Sequence, residues 1–163
     1  MSIFNDVVEK IKLDLSQSAE LSEINFVDVD REEKVPNPIK NVYVSLGISK
    51  IAIKEGAFNA YLGMTSVGEQ YGNRAEIDVE MKIVAPRKNG GKLCYDAFSK
   101  IYEALLYRKR LYNIESISCE KPSYNSDIFS FELDCTIKLA VYLGYETEEI
   151  NISEITVKKE SKR

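Results

Sequence analysis

Two runs of strictly alternating apolar residues constrain this chain more than anything else in it. The first is Ala75, Ile77, Val79, Met81 and Ile83; the second is Phe129, Phe131, Leu133, Cys135, Ile137, Leu139, Val141 and Leu143. A period of two is the mark of a strand with one buried face. The second run is far longer than the roughly 5–6 residues of an ordinary strand. Between the two lies one amphipathic helix, expected from about Lys92 to Arg108, with Leu93, Cys94, Ala97, Phe98, Ile101, Ala104 and Leu105 as its buried stripe. A strand from Ile128 to Leu143 would span about 50 Å. A compact domain of this size has a radius of gyration of only about 15 Å. One short helix cannot cover such a strand, so part of it must find cover elsewhere. A second copy of the chain is the natural candidate, because cyclic assembly pairs projecting edges without leaving a sticky end.

Composition narrows the function by exclusion. With 163 residues, 44% hydrophobic and 29% charged, the sequence suits one soluble domain with a real core. No apolar stretch approaches the roughly 18–20 residues of a spanning helix, so no membrane partner is expected. Met1 to Asp6 has neither the basic patch nor the apolar region of a secretory signal. Cys94, Cys119 and Cys135 are odd in number and widely spaced, which predicts buried thiols in a reducing cytosol. A net charge of -4 argues against nucleic-acid binding by charge alone. There is no histidine, which removes the commonest general base, metal ligand and pH switch together. No enzyme activity, cofactor or metal is therefore expected.

The remaining elements follow from local pattern. Ser2 is placed to cap a first helix, in which Ile3, Phe4, Val7, Val8, Ile11 and Leu15 recur at helical spacing as far as about Ser18. A short strand is expected near Ile24 to Val29, followed by the stiff connector Val35-Pro36-Asn37-Pro38. The next strand begins near Ile39. Val42, Val44, Leu46 and Ile48 share one parity while Ile51 and Ile53 take the other, which predicts a bulge between Gly47 and Lys50. Lys54 to Gly72, with Gly56, Gly63, Gly68 and Gly72, reads as a long loop. The strand Arg74 to Ala85 carries the polar face Arg74, Glu76, Asp78, Glu80 and Lys82. After the helix come a strand from Ile114 to Glu120, a turn from Pro122 to Asp127, and the long strand to Tyr145. The fold class is α+β: a mixed, mostly antiparallel β-sheet packed against two α-helices, in the order α-β-β-β-α-β-β. Residues 1–145 form this single domain, and residues 146–163 a C-terminal arm with a weaker apolar pattern at Ile150, Ile152, Ile155 and Val157.

Few motifs carry chemistry. Asn89-Gly90-Gly91-Lys92 precedes a helix as a phosphate loop would, but Pro86 and Arg87 stand where the earlier glycine belongs, so it reads as a turn and helix start. Glu76, Asp78 and Glu80 are interleaved with Arg74 and Lys82 and read as a solvated or intersubunit face. Arg108-Lys109-Arg110 complements the dipole at a helix end. Asn151-Ile152-Ser153 is a chance sequon. Ten tyrosines and no tryptophan suit protein interfaces, where one end of the ring stays wet.

Val42-Tyr43-Val44-Ser45-Leu46, Arg74-Ala75-Glu76-Ile77-Asp78-Val79, the helix Phe98-Ser99-Lys100-Ile101-Tyr102-Glu103-Ala104-Leu105 and the strand Phe131-Glu132-Leu133-Asp134-Cys135 follow in an order that resembles the phage tail terminator, or tail-completion, proteins. The family includes the terminators of contractile tails and of phage-tail-like bacteriocins. The resemblance implies a homo-oligomer, a hexameric ring that caps the tail tube and meets tube protein, neck or connector, and sheath. DNA would at most pass through its lumen. It implies assembly in the bacterial cytoplasm and residence in the finished phage or bacteriocin particle. On that reading Tyr61, Met64 and Tyr71 are candidates for the tube or neck contact. Arg74, Glu76, Asp78, Glu80 and Lys82 are candidates for the lumen face, and Ile150, Ile152, Ile155 and Val157 for an intersubunit arm. The alternatives are a head–tail joining or minor capsid protein of the same assembly, or a small ligand-binding module or enzyme on a ferredoxin-like scaffold.

Overall fold

The computed structural model describes residues 3–28, 38–54, 60–65, 68–106 and 112–145. Helix α1 spans Ile3–Ser16 and buries Val8, Ile11 and Leu15, the stripe that helical spacing predicts. A single 3-10 turn at Ala19–Leu21 leads to strand β1, Ile24–Asp28. Strands β2 (Val42–Lys54), β3 (Ala60–Thr65) and β4 (Gly68–Pro86) follow. Helix α2, Lys92–Leu106, turns Cys94, Ala97, Ile101 and Leu105 inward. Strands β5 (Ile114–Cys119), β6 (Ser123–Asn125) and β7 (Ser130–Tyr145) complete the fold.

All seven strands among the described residues join one sheet in the order β1-β2-β4-β7-β5, with β3 on β4 and β6 on β7. Only β1 and β2 run parallel; every other pair among the described residues is antiparallel. The sheet is thus mixed, mostly antiparallel, and packed against two helices, as the alternation implies. On β4 the odd-numbered residues Ile77, Val79, Met81, Ile83 and Ala85 have no exposure. They share a core with the stripes of α1 and α2, so this is the helix side of the sheet.

Three sequence expectations need correction. The span Lys54 to Gly72 is not one long loop, because Ala60–Thr65 pairs with Gly68–Gly72 as a β-hairpin. Its alternation was hidden twice over: glycines carry no side chain to alternate, and a register shift between Tyr61 and Gly63 reverses the parity midway. The segment Pro122 to Asp127 is not only a turn, since Ser123–Asn125 pairs with the start of β7. The order therefore gains a strand before α2 and another before β7. Phe129 does not begin the long strand. It sits in the preceding turn at φ 49° with its ring exposed, and pairing starts at Ser130.

Other expectations hold. The bulge in β2 falls between Ile48 and Lys50, where Ser49 donates its hydroxyl to the Asp78 carbonyl at 3.0 Å. Asn89-Gly90-Gly91-Lys92 is a turn and a helix start: Gly90 has φ 63°, and a Cβ on Gly91 would lie 2.9 Å from Pro122 Cβ. The Ser2 cap, the basic cluster Arg108-Lys109-Arg110 and the arm with Ile150, Ile152, Ile155 and Val157 lie outside the described residues.

Candidate assembly site

The site follows from a mismatch of lengths. A helix rises 1.5 Å per residue, so the 14 residues of α1 and 15 of α2 each cover about 20 Å. The 19 residues of β4 and 16 of β7 extend over roughly 60 Å and 50 Å at 3.2–3.4 Å each. The two strands are paired from Tyr71↔Tyr145 to Pro86↔Ser130, so the long strand does not project alone; it leaves the helices as part of a sheet. Its far edge has fewer partners among the described residues. Pairing of β5 along β7 ends at Leu139, beyond which only the Ala140 amide bonds outward, to the Asn113 carbonyl, among the described residues.

At this end the helix-side face keeps large apolar residues, interrupted by Asn73 on β4, but loses its cover. The bulge at Ser49 returns Ile51 and Ile53 to the face of Ile77 and Ala75, their partners on β4. Ile51 is nevertheless 42% exposed and Ile53 50%. The row continues onto the hairpin, where Tyr61 is 57% exposed and Met64 72%. The Tyr61 ring meets Tyr71 edge-on, with centroids 5.7 Å apart. Full burial of such a side chain contributes about 1.5–3 kcal/mol, so covering four that are roughly half exposed would contribute on the order of 3–6 kcal/mol. Large exposed apolar side chains gathered at one end of a sheet make that end the candidate interaction site.

The opposite face holds the polar row. Arg74 pairs with Glu76 at 3.6 Å and with Glu115 on β5. Lys82 pairs with Asp134 at 3.4 Å and Glu132 at 4.0 Å, both on β7. Asp78 stands in register between Lys50 and Lys138. Opposite charges stand in register at Asp78 and Lys82, while Arg74 stands opposite Lys54, so this face is a partial cross-strand charge ladder of both signs and not an acidic patch. Among the described residues no group of three or more cysteines and carboxylates is placed to hold a metal ion. In the groove between the helices the Tyr112 hydroxyl donates to the Asp14 carboxylate. No described helix is long and apolar enough to cross a membrane.

Tyr61, Met64 and Tyr71 are thus brought together on one face, and Arg74, Glu76, Asp78, Glu80 and Lys82 on the other. Sequence reasoning missed Ile51 and Ile53 as members of the first group. The available signal was that both lie beyond the bulge, in a strand longer than either helix. It also missed a second exposed row on α2, Tyr95, Tyr102 and Leu106, beside Phe98, whose ring stacks on Tyr102 at 6.3 Å.

No family model and no curated protein matches this chain. Among solved structures it overlays on the sheath/tube terminator of an extracellular contractile injection system (PVC), determined by cryo-EM in the extended state. The overlay covers 100% of this chain and 65% of that one, less than two thirds of its length, at 12% identity and a TM-score of 0.38.

Proposed function

We propose that this chain is a structural subunit that assembles with copies of itself into a ring. That ring caps the end of a phage or phage-tail-like tube, stops its elongation and joins it to the neck, collar or sheath end. The single observation that carries the reading is the uncovered end of the sheet. Ile51, Ile53, Tyr61 and Met64 are held on a paired β-platform and stay exposed, with neither of the two described helices covering them. The mechanism is steric, without catalysis: the apolar end docks on a neighbouring subunit or on tube protein, and the occupied surface admits no further tube ring. A hexameric ring would direct the polar face of Arg74, Glu76, Asp78, Glu80 and Lys82 toward its lumen. The arm 146–163 would reach a neighbour through Ile150, Ile152, Ile155 and Val157. The subunit would assemble in the bacterial cytoplasm and remain in the particle.

Native mass spectrometry of the full chain, alone and with polymerising tube protein, tests this. A closed oligomer that binds tube ends and fixes tube length is expected. A chain that stays monomeric at high concentration and leaves tube growth unchanged would overturn it. Within a ring, Glu76→Lys with Asp78→Lys should alter lumen electrostatics and keep the fold, and removal of 146–163 should weaken attachment.

A further inference from the structure

Cys119 on β5 and Cys135 on β7 stand directly opposite one another in the ladder. The neighbouring pair is hydrogen-bonded: the Glu120 amide donates to the Asp134 carbonyl at 2.8 Å. Bonded and non-bonded pairs alternate along an antiparallel ladder, so Cys119 and Cys135 form a non-hydrogen-bonded pair. At such pairs the Cα atoms lie about 4.5 Å apart and the side chains make their closest approach, within the roughly 4.4–6.8 Å that a disulfide requires. Both thiols are free here and on the helix side of the sheet, since Cys135 also pairs with buried Met81. Their access differs. Cys135 is buried, while Cys119 is half-buried on a strand that has only one partner among the described residues.

We propose that Cys119 and Cys135 are a cross-strand dithiol site that a small-molecule disulfide converts into an intramolecular disulfide. The proposal stands apart from the ring reading. In the first step the Cys119 sulfur, losing its proton, attacks oxidised glutathione. An S–S bond forms to one glutathione and the other leaves as a thiol. In the second step the Cys135 sulfur loses its proton and attacks the Cys119 sulfur. The protein disulfide forms and the second glutathione leaves as a thiol. Two protein thiols have been oxidised and one small disulfide reduced to two thiols. The order follows from access, and it agrees with burial pushing the Cys135 thiol up to about 12, which disfavours it as the first nucleophile. The third thiol, Cys94, is engaged elsewhere, donating to the Phe131 carbonyl at 3.6 Å. The new bond would tie edge strand β5 to β7 and enclose β6.

The folded full chain, incubated with oxidised glutathione and then denatured under thiol-trapping conditions, gives the test. Free thiols should fall from three to one, with a mass lower by two hydrogens and no attached glutathione. Proteolysis after glutamate cuts at Glu120 and Glu132 and so places the two cysteines on separate peptides, which should remain linked until reduction. The melting temperature should rise by several degrees and return with dithiothreitol. Cys119→Ser, and Cys119→Ala should the first variant fold poorly, should keep both remaining thiols free. Retention of three thiols, linkage through Cys94, a persistent glutathione adduct on Cys119, or closure only in denaturant would each overturn the proposal.

Discussion

One sheet face behaves in two ways along its length. Under the helices, Ile77 to Ala85 on β4 and Leu133 to Leu139 on β7 place every inward side chain out of water. Beyond the helices the same face carries Ile51, Ile53, Tyr61 and Met64, each 42–72% exposed. The β4–β7 ladder runs unbroken through both halves, so that central pairing does not distinguish them. Cover does. The contrast separates residues that serve the fold from those left available to the proposed partner, and it is open to direct attack.

The largest expected effect lies in the covered half. Ile137 has no exposure and sits in register between Val79 and Ile117. Ile137→Ala removes buried methyl groups and leaves a cavity, a loss of about 2–5 kcal/mol. Urea denaturation should show the midpoint falling with an unchanged slope. A loss under about 1 kcal/mol would mean that the helices do not seal this face.

The uncovered half should respond the opposite way. Ile53→Ser, Tyr61→Ser and Met64→Ser together give up strand propensity and the Tyr61–Tyr71 ring contact, costing about 1–2 kcal/mol of stability. Association should suffer more, by at least tenfold, because most of the apolar area a partner would cover is gone. Sedimentation velocity and tube-end binding read this out. Equal loss of stability and association would erase the distinction between the halves.

Much of this division was legible in the residues, though not the part that matters most. Alternation at Ala75 to Ile83 and Phe131 to Leu143 identified the central strands because one face is buried along the middle and half-buried at Phe131, Val141 and Leu143, and the parity switch between Ile48 and Ile51 located the bulge. The hairpin of β3 was not legible, since Gly63 and Gly68 blank the pattern and the shift after Tyr61 reverses it. Three-residue β6 is too short to show a period. Of the candidate site, Tyr61, Met64 and Tyr71 were named from residue type and a supposed loop, although the platform that aligns them is a strand pair. Ile51 and Ile53 look like ordinary core in sequence. Their exposure depends on where the helices stop relative to the sheet, and no local spacing encodes that.

The bulge joins the two halves, and removing it tests whether the end must point in a particular direction. Ile48 pairs with Val79 and Lys50 with Asp78, so Ser49 is the extra residue. Deleting Ser49 leaves every other cross-strand partner in place and restores simple alternation, at a stability change of about 1 kcal/mol or less for the lost Ser49–Asp78 bond. The local twist that a bulge adds would go with it. Association should weaken while the fold persists. Unchanged association would show that the direction of the end is unimportant.

The smallest effect belongs to the polar face. Lys82 lies opposite Asp134 and near Glu132, with two-fifths of its side chain in water. Exposed pairs of this kind are worth about 0–1 kcal/mol, because water screens the charges and both side chains give up rotamer freedom. Lys82→Ala should therefore shift the melting temperature only slightly, and the shift should shrink further in high salt. A loss comparable to that of Ile137→Ala would mean that the carboxylates of Glu132 and Asp134 depend on Lys82 to tolerate one another. The charge ladder would then hold the sheet together, and the polar face would belong with the fold and not with the surfaces left over for assembly.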